Sequence, residues 1–113
     1  MTKAACIDCL GDRFTQFKRF AEHDEYELDF RDEHVQVLLS VGDVIRNISV
    51  FRPREVKLSG IQLLDVEIGV VETQLREAGF NVEACDAGLW LPSEKVVLIV
   101  VDGRIDGVQI ETI

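Results

Sequence analysis

A chain of 113 residues is long enough to bury a core without disulfide staples, and its 47% hydrophobic and 29% charged content is too apolar for disorder. Its net charge of −9, from 12 basic and 21 acidic residues with no Lys/Arg cluster, opposes phosphate backbones, so neither nucleic acid nor an anionic membrane is an expected partner; a basic protein is. The longest aliphatic run, Val96 to Val101, is far short of the roughly 20 residues of a membrane helix. MTKAACIDCLGDR lacks the apolar core of a signal peptide, and three cysteines without framework spacing suit a reducing cytoplasm.

In chain order, Cys6, Leu10, Phe14, Phe17 and Ala21 recur at steps of three and four, which predicts a helix from about 4 to 22. Gly11 weakens its middle by roughly 1 kcal/mol relative to Ala. Asp12 offers an alternative cap for a shorter helix starting at Arg13. Strict alternation follows: Tyr26, Leu28 and Phe30 point one way, and Glu25, Glu27, Asp29 and Arg31 the other. A period of two with one charged face predicts a half-buried strand whose outer face meets water. Asp32-Glu33-His34 turns the chain, Val35 to Val41 forms the next strand, and Gly42-Asp43 a tight turn. Val44 to Phe51 completes a three-stranded meander, which Pro53 ends because it has no N–H to donate.

The second half predicts a similar plan. Leu64, Ile68, Val71, Leu75 and Ala78 make a helical stripe, with Asp65 as N-cap and Gly79 past its end. Asn81 to Ala84 is a short strand and Asp86-Ala87-Gly88 a turn. Leu89 to Leu91 leads through Pro92-Ser93 to Val96–Val101. Asp102-Gly103 suits a type I′ hairpin turn, and Gly107 in the strand that follows marks a bulge.

Residues 37 to 50 overlay residues 97 to 110 without a gap. Val37, Leu38, Val41 and Ile45 meet identical residues at Val97, Leu98, Val101 and Ile105. The expected fold class is therefore α+β: a two-layer sandwich with two helices packed on one mostly antiparallel sheet. Residues 1–113 would form a single domain, with a tandem αβββ pseudo-repeat over 4–51 and 60–113. Any two buried hairpins with short turns look alike, which is the alternative to duplication. Because Val96 to Val101 is apolar on both faces, that strand should be central and covered on both sides, by the chain itself or by a second copy in a homodimer.

Candidate chemistry is sparse. Cys6 and Cys9 have the spacing of a metal or dithiol pair, with His23 the nearest third ligand, but no finger spacing completes the set. On a helix the two cysteines also share the apolar face, where thiols pack as small hydrophobes. Both histidines stand among acids without a nucleophile beside them, and none of the phosphate-loop, zinc-protease or serine-hydrolase motifs occurs. No cofactor and no catalytic activity are expected. In Leu89-Trp90-Leu91, Trp90 points opposite its neighbours, so it is either core or an exposed interface anchor. The function expected is a small acidic cytoplasmic module that binds another protein, as an inhibitor or immunity-type protein does. Glu25, Glu27, Asp29, Asp32, Glu33 and Trp90 are its candidate protein-binding residues. The alternatives are a small-ligand or metal domain on Cys6, Cys9 and His23, or a structural homodimer formed through the sheet face.

Overall fold

A computed structural model describes residues 2–18 and 24–112. Among them are two α-helices and a large antiparallel sheet of eight strands, so the fold is α+β. The chain divides into two compact units, Met1–Ser49 with Glu111–Ile113, and Val50–Ile110.

The first unit opens with helix α1, Lys3–Leu10, capped at Thr2, whose hydroxyl accepts the Ala5 N–H. Gly11, at φ 88°, ends it by donating its N–H to the Ile7 carbonyl at 2.8 Å. The helix expected to run to residue 22 therefore stops after eight residues. Thr15–Phe17 is instead a strand, β1, antiparallel to β2, Tyr26–Phe30. The spacing of Phe14 and Phe17 fits a helix, but Gly11 offers the left-handed exit that a helix end favours. Phe14 then packs its ring against Phe30, with centroids 5.3 Å apart. Residues 19–23, the rest of the expected helix, lie outside the described residues.

After β2 a single 3-10 turn, Arg31–Glu33, and a left-handed His34 (φ 56°) lead into β3, Val35–Leu39. Then comes β4, Ile45–Phe51, of which residues 45–49 belong to this unit. The order here is β1-β2-β3-β4. Alternation places Leu28, Phe30, Val35, Val37, Leu39 and Ile45 in the core. The opposite face is not fully charged and wet as expected. Glu27 is only 6% exposed, because the register sets it across from Phe17 on β1 and Leu38 on β3.

The second unit begins with a two-stranded ribbon, β5 (Lys57–Leu58) and β6 (Ile61–Gln62), turned by Ser59 and Gly60, both at positive φ. Helix α2, Ile68–Glu77, buries Val71 and Leu75. Its N-cap is Glu67, whose carboxylate accepts the Gly69 N–H at 3.0 Å, rather than the expected Asp65. Asp65 is itself left-handed (φ 59°) and engaged by two arginines. Gly79 (φ 94°) follows the helix as expected. Strands β7 (Glu83–Cys85), β8 (Gly88–Leu91), β9 (Val96–Val101) and β10 (Arg104–Glu111) follow, β10 counting here through Ile110. They lie in the order β10-β9-β8-β7. Asp102 (φ 52°) and Gly103 (φ 77°) turn β9 into β10, and the pairing shifts between Ile105 and Gly107, a bulge at the expected place. A Cβ on Gly107 would lie 2.7 Å from the Phe51 ring, so the bulge brings backbone and aromatic into close contact.

The core of this unit is built from Leu63 and Leu64, Val71 and Leu75 of α2, and Leu89, Leu91, Leu98, Ile105 and Val108 of the strands. Burying each such side chain is worth roughly 1.5–3 kcal/mol. Along β9, Val96 and Leu98 are buried while Val97 and Ile99 are half-buried, so its two faces differ in cover.

Candidate functional site

In the first unit the structure brings several sequence-predicted acids together. The 3-10 turn carries Asp32 and Glu33 beside the segment that follows α1. A surface cleft of about 370 Å³ is lined by Leu10, Gly11, Asp12, Arg13, Asp32 and Glu33. A second, of about 250 Å³, shares Arg13 and Asp32 with it and adds Phe14, Thr15, Asp29 and Arg31. Four carboxylates, from Asp12, Asp29, Asp32 and Glu33, thus line neighbouring concavities with two guanidinium groups among them. Arg31 reaches Asp29 at 3.8 Å, but its side chain is 88% exposed, so water screens that pair. The left-handed Gly11 and His34 are what fold these loops back.

The other candidates are placed differently. Glu25 receives Arg46 Nη1 at 2.7 Å on the same unit. Glu27 is buried in its strand and unavailable to a partner as the structure stands. Trp90 belongs to the second unit. Leu89 and Leu91 are buried at 3% and 0% exposure, so the leucines face the core and Trp90, half-buried, points the other way. Its cross-strand neighbours are Val97 on β9 and Glu83 on β7.

Cys6 is buried, and burial pushes its thiol above the ordinary value, with Cys9 adding to the shift. A raised thiol is a poorer nucleophile and metal ligand. Cys9 and Cys85 are exposed, the latter opposite Gly88 rather than packed. His23 lies outside the described residues. Among the described residues no group of three or more His, Cys, Asp and Glu is arranged to hold a metal ion.

Two polar clusters escaped the sequence reading. In the first unit Tyr26 donates its hydroxyl to Asp43, and burial with that bond pushes the phenol up to about 12. Lys3 Nζ sits 5.5 Å from the Tyr26 ring and 5.9 Å from that of Phe14, and donates to Gln16 at 3.3 Å. This ties α1 to the strands. In the second unit Arg52 Nε donates to Asp106 at 2.9 Å and its Nη1 to Asp65 at 3.2 Å, while Arg104 Nε reaches Asp65 at 3.3 Å. The two arginines hold the Asp65 carboxyl below the usual range, Arg52 contributing most. Ile68 N–H to Gly103 O and Ile105 N–H to Val66 O, each 2.9 Å, fasten the same segment, which marks this cluster as the clasp of the α2 approach.

Compared with known protein families, characterised proteins and solved structures, the chain matched none. No family's functional residues are therefore carried onto it, and function is argued from geometry and charge.

Proposed function

We propose that this chain is a small acidic binding module that captures a basic protein, in the manner of an inhibitor or immunity-type protein, without catalysis of its own. The observation that carries the reading is the grouping of Asp29, Asp32 and Glu33 with Asp12 around two adjoining clefts of the first unit. The chain's charge of −9 draws a cationic partner toward that surface, and field complementarity acts most strongly on the rate of encounter. The bound face would then be these loops with the Asp29 end of β2 rather than the whole β2 strand face, since Glu27 is enclosed.

Affinity capture with the wild-type chain and with Asp32→Lys/Glu33→Lys, followed by mass spectrometry, tests the reading. The expected result is enrichment of a basic protein by the wild type, weakened at least tenfold in the variant and by added salt. Equal capture by both chains would remove this surface from the account.

A further inference from the structure

The second unit carries a groove that the acidic loops of the first do not explain. It runs between the β5–β6 turn and one side of α2, with a volume of about 590 Å³. Val70, Gln74, Glu77 and Ala78 form its helical wall at steps of four, three and one, so α2 presents a second face besides the Val71/Leu75 face turned to the core. The opposite wall is Ser59, Gly60, Ile61 and Gln62, with Val66 also lining the groove.

The lining has a particular chemistry. Ile61, Val66, Val70 and Ala78 give an aliphatic surface, on which Val70 stays 45% exposed. Gln74 and Ser59 offer oxygen acceptors, and Glu77 a carboxylate. Gln62 Nε2 donates to Leu64 O at 3.0 Å and its Oε1 is shut off from solvent, so the acceptors open to a ligand are those of Gln74, Ser59 and Glu77. No basic side chain lines the groove, and the unit holds six basic against ten acidic residues. Aliphatic side chains beside acceptors and one negative charge match an aliphatic stem ending in several N–H donors and one positive charge. A guanidinium, planar and rich in donors, fits that description better than an ammonium.

We propose that this groove is a receiving site for an arginine side chain of a partner polypeptide. Ser59, Gly60, Gln74, Glu77 and Ala78 are all exposed. The groove is thus open along its length, so a free small molecule, which tight sites enclose to about 70–90%, should bind it weakly though saturably. A side chain carried in on a larger body needs no such enclosure. The polypeptide source rests on the binding role proposed above; the guanidinium chemistry does not.

The test titrates the ¹⁵N-labelled chain with N-acetyl-arginine amide, and with N-acetyl-citrulline amide as a neutral control of the same length. The expected result is saturable shifts at residues 59–62 and 70–78, with the citrulline compound about fivefold weaker or more. Glu77→Gln, at an exposed position that leaves the core alone, should bring arginine down to the citrulline level. Shifts spread over the whole surface, no saturation, or unchanged arginine binding in Glu77→Gln would each overturn the proposal. Asp32→Lys/Glu33→Lys should leave the titration unaltered, so failure of the groove and failure of the acidic surface read out separately; loss of arginine binding in that variant would also overturn the groove assignment.

Discussion

The two hairpins that look alike in sequence bury opposite residues along their first strands, β3 and β9. In β3 the buried residues are Val35, Val37 and Leu39, with Leu38 half-buried; in β9 they are Val96 and Leu98, with Val97 and Ile99 half-buried. Val37 overlays Val97 and Leu38 overlays Leu98, so identical residues have exchanged inside for outside. The turns explain it. In the first unit three residues, 41–43, make the connection, closed by Ser40 N–H to Val44 O at 2.8 Å and Asp43 N–H to Ser40 O at 3.1 Å. That sets Ser40 opposite Val44, and hence Leu39 opposite Ile45. In the second unit only Asp102 and Gly103 intervene, Val101 faces Arg104, and Ile105 faces Val100. Ile45 and Ile105 are both buried, at 1% and 0% exposure, so each fixes which face of its partner strand turns inward. One extra turn residue shifts the pairing by one position, and a shift of one exchanges the faces.

The sharpest way to break this comparison is to truncate the overlaid leucines. Leu98→Ala should lower unfolding free energy by about 2–5 kcal/mol in urea titrations, and Leu38→Ala by less than half as much. Equal losses would mean that the two strands bury the same face. Next comes the bulge, which the second hairpin has at Gly107 and the first replaces with Asn47. Gly107→Ala forces a Cβ toward Phe51 and should cost about 1–3 kcal/mol, whereas Asn47→Ala should stay within about 1 kcal/mol.

The polar clusters give smaller effects at opposite ends of the pH scale. Tyr26 is the single tyrosine, and its folded pKa of about 12 lies above the ordinary 10.0. Its stabilisation is complete below pH 10 and is lost as pH rises toward 12. Phenolate absorbance should titrate near 12 in the native chain, and Asp43→Asn should bring the midpoint down. Asp65 works the other way. Its folded pKa is depressed, so its contribution is present above the ordinary 3.8 and disappears as pH falls through the folded value. Asp65→Asn should flatten the acid limb of the stability profile without touching the alkaline one.

The longer strands were legible because apolar patterning and turn chemistry agreed. Tyr26–Phe30 follows from period-two alternation, Val96–Val101 from an unbroken aliphatic run, and the turn at Asp102-Gly103 from residues tolerant of positive φ. The first helix is shorter than its sequence pattern because Phe14 and Phe17 have helical spacing by coincidence, and Gly11 acts as an end rather than as a weak point within it. Asp65 reads as a cap because a cap residue and an arginine acceptor look the same in sequence; only the fold brings Arg52 and Arg104 to it. The β5–β6 ribbon escaped although Ser59-Gly60 is a turn signal, since two-residue strands leave no period to read. Of the candidate site, Asp29, Asp32 and Glu33 were readable as acids near a turn. Asp12 was not, because its place beside them depends on the break at Gly11. The burial of Glu27 depends on β1, which was expected to be helix.

The exchange of faces is tested most directly by thiol labelling. In a background with Cys6, Cys9 and Cys85 replaced, Val37→Cys, Leu38→Cys, Val97→Cys and Leu98→Cys are each exposed to a thiol reagent under native conditions. Positions 38 and 97 should react faster than 37 and 98, which stay protected until the chain unfolds. Protection of the same overlaid pair in both hairpins, 37 with 97 or 38 with 98, would contradict the account.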